Sequence, residues 1–197
     1  MTTPHRPTAD ELAAAHGGTI PDVAGPDLRV LFCGINPGLW SGATGQHFAR
    51  PGNRFWPALY RSGFTPRQLH PSEQALLPSL GLGITNVVAR TTARADELTA
   101  EEYREGGAAL RERVARLRPR ALAVLGIGAY RAAFGQPRAV VGRQPEPLGT
   151  TALWVLPNPS GLNAHYTLDA IAAEFRALRE AVDSLGEAAD PPHPERG

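Results

Sequence analysis

Two asparagines carry the chemistry that this sequence can be read for. Both stand where a buried strand gives way to glycine and proline. Asn36 lies in Gly34-Ile35-Asn36-Pro37-Gly38, directly after the apolar run of residues 28–33. Asn158 lies in Pro157-Asn158-Pro159-Ser160-Gly161-Leu162-Asn163, directly after Leu153-Trp154-Val155-Leu156. A carboxamide offers a donor and an acceptor but no useful pKa, so it orients and polarises rather than acting as an efficient acid or base. Glycine lets the backbone approach a ligand, and Pro37 stiffens the corner. Polar groups at the carboxyl ends of strands are where open α/β sheets hold ligands. The first corner alone also fits an ordinary strand-to-helix turn. The second corner weighs against that, because two such corners can lie side by side in a parallel sheet.

The elements needed to hold the corners follow from the pattern. A strand at 28–33 leads into a long loop with small residues around Ser41-Gly42-Ala43, then Phe48 and Arg50-Pro51-Gly52-Asn53. Helices are expected at 54–62 and 72–80, and a strand at 83–88. A helix at 100–117 carries Tyr103, Leu110, Val114 and Leu117 at helical spacing. A strand at 121–125 runs into a helix ending at Phe134, and a strand at 151–156 precedes a last helix at 168–185. Strands alternating with helices predict an α/β fold, a three-layer α/β/α sandwich with a short, mostly parallel central sheet. Residues 27–185 are expected to form one domain. Residues 1–26, in which the capping box Thr8-Ala9-Asp10-Glu11 opens a short helix through Ala15, are expected as a flexible tail, and 186–197 as a disordered end.

Composition removes several classes. A formal net charge of +1 argues against a purely electrostatic DNA coat, though not against a local basic groove. No apolar run reaches membrane-spanning length and no leader pattern opens the chain, so a cytosolic protein is the expectation. Cys33 is the one cysteine. It cannot close an internal disulfide, and an iron–sulfur cluster needs about four thiolates. Lysine is absent, so a Schiff base with a sugar would be left to the α-amino group. Gly126-Ile127-Gly128 starts like a dinucleotide fingerprint but has Arg131 at the third glycine position, and no G-x-S-x-G or G-K-[ST] loop is present.

The first corner, with its downstream Phe48-Ala49-Arg50-Pro51-Gly52-Asn53-Arg54-Phe55-Trp56, and the later Asn158-Pro159-Ser160-Gly161-Leu162 together resemble the mismatch-specific uracil-DNA glycosylases and the related thymine-DNA glycosylases. The resemblance spans roughly residues 28–178. It implies a uracil-DNA glycosylase-like fold and a metal-free, cofactor-free enzyme. The partner it implies is double-stranded DNA with G·U or related mispairs, and the enzyme is expected as a monomer away from membranes.

Base excision needs a wedge, a reader for the base, a weakened glycosidic bond and a placed water. By the resemblance, Asn36 positions the attacking water. Faster uracil glycosylases carry an aspartate in the first motif and a histidine in the second, where this chain has Asn36 and Asn158; slower hydrolysis is expected. Asn158 either stabilises the leaving base or pins its loop. Phe48 is the stacking floor or plain core. Backbone near Ile35 reads the uracil edge, Ser41 sets room for a 5-substituent, and Asn86 lines the pocket. Leu162 is the wedge or a cap on its own helix, with Gly161 and Asn163 beside the orphaned guanine and Ser160 as a further DNA-binding residue of the loop. Family members can carry an arginine after the wedge; here His165 is the substitute. Asp96 is read either as an aid to water activation or as a surface cap for the helix near Thr99. Arg50, Arg54 and Arg90 are the expected phosphate contacts.

The reading is therefore a monofunctional glycosylase that removes uracil from G·U-type mispairs, with ethenocytosine or thymine as extensions. The alternative is a non-catalytic mismatch-binding protein that uses the same wedge.

Overall fold

The computed structural model describes residues 6–187. Its centre is a five-stranded sheet built from β1 (Val30–Gly34), β2 (Leu82–Asn86), β3 (Ala121–Leu125), β4 (Gly142–Arg143) and β5 (Ala152–Leu156), in the order β2-β1-β3-β5-β4. The first four of that order run parallel, and β4 pairs antiparallel to β5 at the edge. Six α-helices accompany it: α1 (Ala9–Ala14), α2 (Leu39–Thr44), α3 (Phe55–Arg61), α4 (Ala100–Leu117), α5 (Ile127–Phe134) and α6 (Leu168–Glu187).

Every residue of the four parallel strands is buried, as a sheet covered on both faces requires. Side chains divide between the faces at every second position. Val30 and Phe32 join Phe55, Leu59 and Phe175 from α3 and α6. Leu31 and Cys33 join Leu110 and Val114 from α4 and Tyr130 from α5. Phe32 anchors its side, meeting Phe55 edge-on at 5.4 Å and stacking on Phe175 at 5.5 Å. The expected three-layer sandwich is the observed one.

Several local expectations change. The stretch 71–80 is a 3₁₀ run with Pro78 inside it, rather than an α-helix. The long loop after β1 contains α2, which the sequence pattern did not signal because its residues Leu39-Trp40-Ser41-Gly42-Ala43-Thr44 have poor helix-forming character. The two-residue β4 was not foreseen either.

The segment expected as a loose tail is fastened to the domain from residue 7 onward. Pro7 is buried, α1 packs on α2, and Asp22 bonds both Thr85 at 2.8 Å and Arg113 at 2.9 Å. Val23 forms an antiparallel bridge with Ile84, exchanging bonds of 2.9 and 2.7 Å on the outer side of β2. α6 continues to Glu187, so the expected disordered end begins inside a helix, and its residues 188–197 lie outside the described part.

Candidate active site

In this strand order the chain leaves β1 toward β2 and leaves β3 toward β5. The connections diverge between β1 and β3, where an open parallel sheet has its crevice. A cavity of about 600 Å³ opens there. Its walls come from all four parallel strand ends: Gly34 at the end of β1 with Ile35 and Asn36 just after it, Asn86 from β2, Leu125 from β3 and Asn158 after β5. The two asparagine corners, about 120 residues apart in sequence, thus face one cavity.

Asn36 is held by its amide nitrogen. Nδ2 donates to the Arg90 carbonyl at 2.8 Å, to Thr92 Oγ1 at 2.7 Å and to the Pro37 carbonyl at 3.2 Å. Two of these partners are carbonyls that can only accept. Thr92 Oγ1 spends its own hydrogen on the Arg94 carbonyl. The orientation of the carboxamide is therefore dictated by its neighbours, and Oδ1, which has no protein donor among the described residues, is left as an acceptor.

Phe48 is a cavity residue with its ring backed by Phe55, the centroids 4.2 Å apart and nearly parallel. Its backbone sits at φ +53°, a costly conformation for an aromatic residue. Such strain persists only where the surroundings over-determine it, and here they place the ring against Gly34. A β-carbon on Gly34 would come within 3.2 Å of the Phe48 ring and 2.5 Å of Asn86 Oδ1, which is why β1 ends in glycine. Phe48 thus both lines the cavity and packs against the core. Ser41 is buried and accepts a long bond of 3.4 Å from Ala49 N–H.

Asn86 reaches the cavity with a partner that sequence reasoning missed. His47 is 2 % exposed, and its Nε2 lies 2.9 Å from the Pro21 carbonyl, which fixes the proton on that nitrogen. Nδ1 is then an acceptor for Asn86 Nδ2 at 3.4 Å. Burial pushes the His47 pKa down, opposed by the bond to Pro21 and by nearby Asp22. The neutral ring orients Asn86 so that its oxygen lies toward Gly34. Ile35, expected to read a base with its backbone, has its carbonyl committed to Val88 N–H at 2.9 Å.

The second corner is braced from within. Asn158 Oδ1 accepts Ser160 N–H at 2.9 Å, and the Asn158 carbonyl accepts Asn163 Nδ2 at 3.0 Å. Ser160 Oγ receives Leu162 N–H at 3.2 Å, and Asn163 Oδ1 receives His165 N–H at 3.1 Å. Asn158 pins the loop with its oxygen, and its Nδ2 has no partner among the described residues. Leu162 stands 74 % exposed on the cavity rim, which rules out packing on its own helix. His165 is exposed beyond it.

Arg54 does not have the role expected of it. Its guanidinium donates to the carbonyls of Ser160 and Tyr166, and to that of Asn163 at 2.8 Å, while its backbone N–H meets the Pro159 carbonyl at 2.9 Å. It ties the second corner to the loop before α3. Gly161 completes that contact, since a β-carbon there would stand 2.8 Å from the Gly52 carbonyl.

Among the remaining charges, Arg90 is likewise committed, with Nε 2.7 Å and a terminal nitrogen 3.1 Å from the Glu102 carboxylate. That pairing, with the Thr99 N–H, lowers the Glu102 pKa to about 2. Arg50 is exposed on the cavity wall with no partner among the described residues. Asp96 also lines the cavity, exposed and paired with Arg94, whose hydrogen bonds hold its carboxyl below the usual range. It does not cap α4; Thr99 does, in a capping box with Glu102. Arg94 at the mouth and Leu12 of α1 complete the wall, and no sequence motif marked either.

A family model described as the uracil DNA glycosylase superfamily matches residues 21–185. The match takes in the whole sheet, both asparagine corners, Phe48 on the cavity wall and the exposed Leu162 tip. The chain therefore belongs to the uracil-DNA glycosylase superfamily.

Proposed function

We propose that this member is a monofunctional DNA glycosylase that turns uracil out of G·U-type mispairs in double-stranded DNA and hydrolyses its glycosidic bond, with ethenocytosine or thymine as extensions. The observation that carries the reading is the opposed presentation of the two asparagine amides. Asn36, its nitrogen fully engaged, offers an oxygen; Asn158, its oxygen engaged, offers a nitrogen. An acceptor is what a water needs if its lone pair is to be turned toward the sugar. A donor is what a leaving uracilate needs as charge gathers on it.

In the reaction, the water oxygen bonds to C1′ as the C1′–N1 bond breaks, and the bonding pair leaves with the base. The water proton passes by way of solvent to the departing uracilate. No side chain at Asn36 can take that proton, which supports a slow hydrolysis carried by positioned dipoles. Phe48 offers a flat surface for the extruded pyrimidine, and Asn86, oriented by neutral His47, offers its oxygen to the base edge. Leu162 is suited to fill the vacated stack, offsetting part of an unstacking cost of a few kcal/mol.

The test is uracil release from a G·U duplex with enzyme in excess, followed by alkaline cleavage at the abasic product. Wild type is expected to give the product and Asn36→Ala to lose it. A wild type that binds the mispair without releasing uracil would replace this reading with a mismatch-binding one.

A further inference from the structure

The family match begins at residue 21, yet the chain before it reaches the cavity. α1 secures its own start through a capping box: Thr8 Oγ1 receives Glu11 N–H at 3.2 Å and the Glu11 carboxylate receives Thr8 N–H at 2.7 Å. Leu12 then lines the cavity, as do Leu39, Ala95 and Asp96. Ala15 packs on Gly42 of α2 so closely that a β-carbon on Gly42 would lie 3.1 Å from it. His16 Nε2 lies 2.9 Å from the Glu97 carboxylate.

Beyond the helix, Gly17 N–H donates to the Thr91 carbonyl at 2.9 Å, and Thr91 N–H donates to the Gly18 carbonyl at 2.8 Å. Thr91 is completely buried under this exchange. Its two sequence neighbours are the residues that hold Asn36, through the Arg90 carbonyl and Thr92 Oγ1. The 90–92 segment is thus gripped by the arm through the Thr91 backbone, and by Asn36 through the Arg90 carbonyl and the Thr92 hydroxyl.

We propose that the arm from Thr8 to Gly18 is a positioning element of the active site. It fixes the backbone from which Asn36 takes its orientation, and Leu12 supplies part of the cavity wall. The inference rests on the reading of Asn36 as the residue that orients water. A 90–92 segment free to shift would release Nδ2, and a rotated amide would offer the water a donor where it needs an acceptor. Misplacement of a positioned group by about 1 Å can cost about 100-fold in rate.

The experiment uses the full chain with Ala15→Glu, which cannot keep the contact with Gly42, and with His16→Ala beside His16→Gln, which can still bond Glu97. On a G·U duplex, Ala15→Glu is expected to lower kcat about tenfold with KM within about twofold, the pattern of a lost transition-state interaction. His16→Ala should lose a smaller part, and His16→Gln should recover it. Independently of activity, solvent exchange of the Asn36 Nδ2 protons, followed by NMR, should quicken severalfold in Ala15→Glu. If wild type releases uracil through Asn36 while kcat and exchange are both unchanged in Ala15→Glu, the arm inference is overturned and the glycosylase reading stands. If wild type releases no uracil, the functional reading fails, and the exchange rates alone decide whether the arm positions Asn36. Faster exchange upholds that role, and unchanged exchange overturns it.

Discussion

Asn86 Oδ1 occupies the place a side chain on Gly34 would need, 2.5 Å from where its β-carbon would stand. The end of β1 and the end of β2 are therefore fitted to each other by the absence of one methyl group. Gly34→Ala must move Asn86, the Phe48 ring or both. Overpacking of this kind costs about 1–3 kcal/mol. The expected outcome is a Tm lowered by several degrees together with a fall in single-turnover excision of at least about tenfold, equal to about 1.4 kcal/mol of barrier. Unchanged excision would separate Asn86 from base reading.

Leu162 touches so little of its own protein that stability should not register its loss. Leu162→Ala is expected to leave unfolding free energy within about 0.5 kcal/mol of wild type. Excision from a duplex should fall, and excision of uracil from a single strand, where no neighbour needs to be displaced, should fall much less. The ratio of the two rates measures the wedge, and an equal loss on both substrates would dismiss it.

Arg50 and Arg90 should part company in salt titrations. Arg50 has no carboxylate partner among the described residues, whereas Arg90 is held in two bonds by Glu102. Arg50→Ala is expected to reduce the slope of log affinity against log salt by about one, the signature of one lost phosphate contact. Arg90→Ala should leave the slope and instead lower kcat, since the Arg90 carbonyl that holds Asn36 sits on the backbone that its guanidinium steadies. Equal slopes for both variants would reverse the assignment.

His47 makes stability depend on pH in a defined direction. Burial lowers its folded-state pKa below the ordinary 6.5, so the unfolded chain takes up the proton first as the solution is acidified. Its contribution is intact above about pH 6.5 and is lost as pH falls from there through the folded value. Protonation also turns Nδ1 from an acceptor into a donor facing the Asn86 amide nitrogen, so activity should decline over the same range. In His47→Gln the fall of Tm between pH 7 and 5 should be shallower than in wild type. Identical profiles would place the titration elsewhere.

Much of this could be read from residues alone. The four parallel strands were legible because each is a short, largely apolar run, and α4 because its apolar residues recur at helical spacing. That Asn36, Phe48, Asn158 and Leu162 belong together at one cavity was legible because they lie in motifs that resemble a family. What escaped was set by distant partners. Nothing in the local sequence says that Arg54 will spend its guanidinium on carbonyls of the 159–166 segment, or that Arg90 will meet Glu102. His47 was hidden because its role depends on Pro21 and Asn86, far along the chain in both directions. In the N-terminal arm the capping box at Thr8 signalled α1, but the attachment of the arm escaped for a related reason: nothing local says that Gly17 and Gly18 will pair with Thr91.

The bridge between Val23 and Ile84 bears on how the molecule behaves in a crowd. A parallel sheet of five-residue strands ends in two margins, and an uncovered margin is a template on which a foreign chain can add a strand. Here the β2 margin is met at its middle residue by Val23 and beside it by the Asp22 carboxylate on Thr85. The opposite margin is β4, two residues long and too short to seed a ladder. The same N-terminal segment that runs past the cavity therefore also guards the sheet against aggregation, and trimming it would expose the protein to a hazard unrelated to catalysis.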